Sequence, residues 1–160
     1  MKRGSTSFLK VVIFLIAAVT LAGLIRFPQT EGRAANLDLI SIYKDPFIIY
    51  IYIAFSPFFV ALYQAFKLLG YIDKNKIFSQ VSVNAVRNIK YCGLAIIAFI
   101  LGAEAYLFIV ERSKSDDIAG GVAGGLFIIF VSGVIATAAA VFQKLLQNAV
   151  DIKSENDLTV

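Results

Sequence analysis

The 160-residue sequence has no histidine and a single cysteine, Cys92. Without histidine the chain lacks the commonest metal ligand and the commonest general base. One cysteine forms no intrachain disulfide, and with no histidine beside it Cys92 reads as an apolar packing residue rather than a nucleophile. Charge is also scarce. Asp, Glu, Lys and Arg make up 16% of the chain, against roughly 25% in an average soluble domain. No paired-acid site, metal cluster or Ser-His-Asp set can be assembled from what remains. The composition therefore points away from an enzyme and implies no metal and no cofactor. The glycine-rich run Gly120-Gly121-Val122-Ala123-Gly124-Gly125 is not a phosphate loop, because no Gly-Lys-Ser/Thr follows it.

What the chain does have is long apolar runs. It is 59% hydrophobic, with a mean hydropathy of +0.78. About twenty apolar residues at 1.5 Å rise cross a hydrocarbon layer of about 30 Å. Four runs qualify: 8–25, 46–69, 89–110 and 121–146. They predict an all-α, integral membrane four-helix bundle forming a single membrane domain over 1–160, multi-pass in the cell membrane. A polar loop, 70–88, and a polar tail, 147–160, complete it. The first run, with Lys2 and Arg3 before it, also fits a signal peptide with Gly32-Arg33-Ala34 as a loose cleavage site. It is long for that role and lacks a clean site, so a retained span is expected, with Lys10 reaching back to the interface.

Both termini are expected in the cytoplasm. That arrangement puts Lys2, Arg3, Lys10, Lys67, Lys74, Lys76, Arg87, Lys90, Lys144 and Lys153 inside, and only Arg26, Arg33, Lys44, Arg112 and Lys114 outside. The same bias accounts for the net charge of +4, so no direct nucleic-acid binding is expected.

Local signals set the helix limits. Pro46 fits a first helical position, Gly70 reads as a helix stop and Ser79 as an N-cap. One helix of roughly 45 Å is expected from about Ser79 to Val110. Pro57 interrupts the second span and kinks it. Ser56 is placed to satisfy the carbonyl that proline frees, which makes Ser56 and Pro57 the candidate hinge. Small residues predict where helices approach: Ala18 and Ala22 in the first span, Ala98 and Gly102 in the third, Gly121, Gly125, Ser132 and Ala136 in the fourth.

Two groups of residues are candidates for function. Glu104 is the one acid within a span, roughly 10 Å from the end of its helix. Burying a charge there is costly, so an intramembrane carboxyl is a functional candidate by default. Its competing reading is structural, a carboxyl bonded to Thr20, Tyr50 or Tyr52 at the same depth. The second group lies on the basic side: Lys67, Asp73, Lys74, Lys76, Phe78, Ser79, Ser82, Arg87 and Lys90, with Asp151, Lys153, Glu155, Asn156 and Asp157 of the tail. These residues suit anionic lipid headgroups or a soluble protein.

The stretch YQAFKLLGYIDKNKIFSQVSVNAVRNIKYC and the ending QKLLQNAVDIKSENDLTV resemble a family of small four-span membrane proteins common in Firmicutes, the DUF2975-like proteins. Genes of that family often neighbour a Cro/C1 (Xre)-type helix-turn-helix regulator. The resemblance implies a four-helix membrane protein and a regulatory partnership with such a cytoplasmic DNA-binding protein. It implies no activity and no catalytic residues. It carries over Phe78, Ser79, Ser82, Arg87, Ile89 and Lys90 in the loop, and Asp151, Lys153, Ser154, Glu155, Asn156, Asp157 and Leu158 in the tail. The sequence thus supports two functional readings. One is a non-enzymatic regulatory membrane protein whose basic loop and tail bind a soluble partner. The other is a small oligomeric transporter or channel-like subunit that uses Glu104 and the Pro57 kink, in which case the chain forms a homo-oligomer.

Overall fold

The computed structural model describes residues 3–30, 38–111 and 119–158. The Gly32-Arg33-Ala34 cleavage candidate, the charged loop 112–118 and four members of the charge count, Lys2, Arg33, Arg112 and Lys114, lie outside the described residues, as do Thr159 and Val160. Every regular element described is helical. Helix α1 spans Arg3–Thr30, the short α2 Leu39–Tyr43, α3 Pro46–Asp73, α4 Gln80–Tyr106 and α5 Ala119–Leu158. A π-helical turn, Leu107–Glu111, continues α4. Four of these helices are long and apolar enough to cross a membrane. Their outer faces carry exposed apolar side chains such as Phe14, Ile53, Leu101 and Phe130, as expected of surfaces solvated by lipid.

The helices pack chiefly in chain order: α1 on α3, α3 on α4, and α4 on α5, the most extensive interface. Both described chain ends and the turn between α3 and α4 therefore lie at one end of the bundle. We call it the basic end, since Lys74, Lys76, Arg87, Lys144 and Lys153 are all exposed there.

Pro46 occupies the first turn of α3 as expected, and the Asp45 carboxylate caps it by accepting from the Phe47 amide at 2.8 Å. Other local signals read differently in three dimensions. Gly70 does not stop α3, which continues to Asp73. The left-handed residue is Asn75, with φ 55°, and asparagine tolerates that conformation better than most residues. Ser79 does stand at the N-cap of α4, but its side chain makes no cap hydrogen bond. Its hydroxyl instead donates to the Lys76 carbonyl at 2.5 Å, and that of Ser82 to the same oxygen at 3.1 Å. The tail is no loose end either, since α5 remains helical through Leu158.

Two prolines lie inside spans, and each leaves the carbonyl four residues earlier without its helical donor. Pro57 frees Ile53 O, and Ser56 Oγ donates to it at 2.8 Å. Pro28 frees Leu24 O, and Tyr52 of α3 donates to it at 2.9 Å. The second repair crosses between helices. Together with Tyr43, whose hydroxyl reaches Ile25 O at 3.0 Å, it fixes α1 to its neighbours away from the basic end. At the basic end Lys10 of α1 forms an ion pair with Asp73 of α3 and lies 5.7 Å from the Phe66 ring centroid. The first span is therefore an integral member of the bundle, tied at both ends.

Candidate functional site

The α4/α5 interface carries most of the polar residues that matter. On α4 and its π-helical continuation its members are Val83, Val86, Lys90, Gly93, Ile97, Ile100, Glu104 and Leu107, spaced alternately three and four apart. That spacing is the seam of a left-handed coiled coil. On α5 the facing residues are Gly121, Gly125, Ser132, Ala136, Ala139, Gln143 and Leu146. The two helices run antiparallel. A Cβ added to Gly121 would meet Leu107 at 3.4 Å, and one added to Gly93 would meet Ala136 Cβ at 3.1 Å and Ser132 O at 3.2 Å. Gly93 is thus the point of closest backbone approach, which a side chain would force apart.

At the basic end of the seam polar groups find each other. Lys90 donates to Gln143 at 2.9 Å, Gln80 to Gln147 at 3.3 Å, and Gln147 in turn to Asp151 at 2.8 Å. Below them Val83, Val86, Ala139 and Leu146 form a hydrophobic cluster, joined by Leu68, Ile77, Ile89 and Val150. This cluster clamps the turn between α3 and α4 onto α5.

At the other end Glu104 is buried at 9% exposure. Its Oε2 is fully buried and has no hydrogen-bond partner. The carboxyl fills the space above Gly125, where a Cβ would overlap it, and Ile100 lines the same space. The structural reading of Glu104, a carboxyl bonded to a hydroxyl on another helix, is therefore not what the bundle contains. Tyr52 is committed to Leu24 O and Tyr50 donates to Phe99 O at 2.6 Å. Thr20 lies on α1, which packs on α3 rather than α4.

Of the approach residues, Gly102 receives the Tyr50 hydroxyl, which would stand 2.5 Å from a Cβ there, while Gly121, Gly125, Ser132 and Ala136 lie in the α4/α5 seam. Ala18, Ala22 and Ala98 lie exposed. Helix α1 is held through its tyrosine and lysine contacts instead of a small-residue stripe. On α4 the heptad face, not Ala98, meets α5. Ser56 and Pro57 belong to the repaired break in α3, six and seven residues, or about 10 Å, further along that helix than Tyr50, whose hydroxyl meets Gly102, so hinge and carboxyl lie at different depths.

Among the loop and tail candidates, Lys67, Lys74, Lys76, Phe78 and Arg87 are exposed, as are Asp151, Lys153, Glu155, Asn156 and Asp157. Lys67 lies 5.2 Å from the Tyr63 ring centroid. Asp73 is occupied by Lys10, Lys90 by Gln143, and Ser82 is buried in the turn. The sequence reading missed Gln143, Gln80 and Gln147. The signal that finds them is the heptad continued past the apolar run.

Four apolar spans, exposed apolar faces and polar ends define a multi-pass membrane protein. Residues 28–160 match the family described as "Protein of unknown function (DUF2975)". The chain is also 49% identical over 162 residues to "Uncharacterized membrane protein YoaS" of Bacillus subtilis (strain 168), with 100% of both chains covered. No solved structure matches. The chain belongs to the DUF2975 family of membrane proteins.

Proposed function

We propose that the protein is a non-enzymatic regulatory membrane protein whose basic end holds a soluble partner at the cytoplasmic face. The supporting observation is the length and exposure of α5. Its 40 residues extend about 60 Å, twice the hydrocarbon thickness. Its last turns, Asp151 to Leu158, remain helical with every side chain exposed. A helix held rigid by the Val83–Leu146 cluster and offering polar and charged side chains to solvent is a docking element. Orientation by Lys and Arg bias puts it in the cytoplasm. The partner expected from the family resemblance is a helix-turn-helix regulator of the Cro/C1 type, held by contacts to Arg87 and the tail.

The test is affinity purification of the full-length protein from host membranes, beside a variant carrying Arg87→Ala and Asp157→Ala. Both side chains are exposed, so the variant folds as the native chain does. A soluble regulator retained only by the native protein supports the reading, whereas equal capture or no soluble partner contradicts it. The second reading, an oligomeric transporter or channel-like subunit, is favoured by the buried Glu104 Oε2, which has no hydrogen-bond partner. It predicts oligomers and ion or solute flux in proteoliposomes.

A further inference from the structure

We infer that the Glu104 carboxyl, seated over Gly125 in the α4/α5 seam, is a proton-binding site that holds its proton while seated there. Three observations carry this. The carboxyl is buried, and its Oε2 has no hydrogen-bond partner. Its seat is a fitted one, because Gly125 presents no side chain and a Cβ there would stand 2.8 Å from the carboxyl carbon. Two residues beyond Glu104 the regular helix gives way to the π-helical turn Leu107–Glu111, a departure that often marks functional positions in helices.

Among the described residues, nothing around the seat neutralises a carboxylate. Helix α5 has no ionisable residue from Ala119 to Gln143, and α4 has none with a positive charge between Lys90 and Glu104. On α3, which packs against the other side of α4, the titratable neighbour is Tyr50, whose hydroxyl is engaged with Phe99 O. Tyr106 of α4 stacks on Phe47 at 5.7 Å. A metal ion needs several oxygen or nitrogen ligands, and no group of three His, Cys, Asp or Glu occurs among the described residues. An ionised carboxylate in an apolar seam is strongly disfavoured without a partner. The proton is the one ligand that needs no other. The inference stands independently of the docking reading for the basic end.

A hydrophobic carbodiimide tests it. The acid O–H adds across one C=N bond of the reagent: the carboxyl oxygen bonds to the central carbon and the proton goes to nitrogen. The acyl group then migrates to that nitrogen, leaving a stable N-acylurea, and no atom is lost. Full-length protein in phosphatidylcholine vesicles is treated with dicyclohexylcarbodiimide over a pH series, in sodium and in choline buffers, and the adduct is mapped by mass spectrometry. The expected result is an adduct at Glu104 that declines as pH rises and is the same in both buffers, with Asp151 and Asp157 unlabelled. Glu104→Gln loses the adduct while keeping its helical circular dichroism. Gly125→Ala, which unseats the carboxyl, moves the decline to lower pH. An unlabelled Glu104 across the series, protection by sodium, or an unchanged profile in Gly125→Ala would overturn the assignment.

Discussion

Lys90 and Glu104 occupy the same position of the α4 heptad, two repeats apart, yet they meet opposite environments. Lys90 faces Gln143 and donates to it. Glu104 faces Gly125, and its buried oxygen has no partner. The first arrangement is how a polar group in a helical seam specifies register: the contact is satisfied only when the helices are aligned correctly. The second does nothing for register, since a glycine offers no group to align with. A polar residue retained in a seam with no structural return is the better candidate for function. The contrast separates a structural end, which fixes α5 as a projecting rod, from a chemical end, where a carboxyl waits in an apolar seat.

Substitutions along the seam sharpen the contrast. The largest effect is expected midway, where both ends depend on the closest approach. Gly93→Leu drives a side chain into Ala136 and the Ser132 carbonyl and should cost about 3 kcal/mol, seen in thermal unfolding of the detergent-solubilised protein. At the structural end, Gln143→Met leaves the half-buried Lys90 ammonium without its acceptor and should cost about 1.5 kcal/mol in the same assay. Outside the seam, Lys10→Ala breaks the ion pair to Asp73. Both partners are 26% exposed, so water screens the pair, and a loss of about 1 kcal/mol is expected, with faster proteolysis of α1. The smallest effect belongs to Tyr52→Phe, which removes the donor to Leu24 O. It should cost about 0.6 kcal/mol and raise hydrogen exchange near Pro28.

The spans, the entry at Pro46, the long α4 and the Ser56 repair are all legible in the sequence, because each rests on local rules of hydropathy or backbone hydrogen bonding. What escapes local rules depends on who faces whom. Gly70 carries the composition of a helix stop, but half-buried Tyr71 and Ile72 keep α3 going past it. Tyr52 stands at a plausible depth for Glu104, yet Pro28 on another helix has left a carbonyl that claims it. Ala18, Ala22 and Ala98 show that small residues permit close approach without requiring it. Gly93, outside any small-xxx-small pattern with Ala98, lies against the backbone of α5 at Ser132 and Ala136. Helix is expected through Val150, but beyond it the turns to Leu158 escape hydropathy, which reads their polar composition as loop although most of these residues tolerate helix.

The most direct test of the contrast is one pair of substitutions in one assay: Glu104→Met and Gln143→Met, thermal unfolding in the same detergent. Methionine is unbranched and near both side chains in length, so the pair reports loss of the polar group more than change of shape. If the two ends differ as described, the signs are opposite. Glu104→Met removes an unsatisfied buried group and stabilises by about 1 kcal/mol, while Gln143→Met destabilises. Destabilisation by both would mean that Glu104 also holds the seam together, and would contradict the division between a structural and a chemical end.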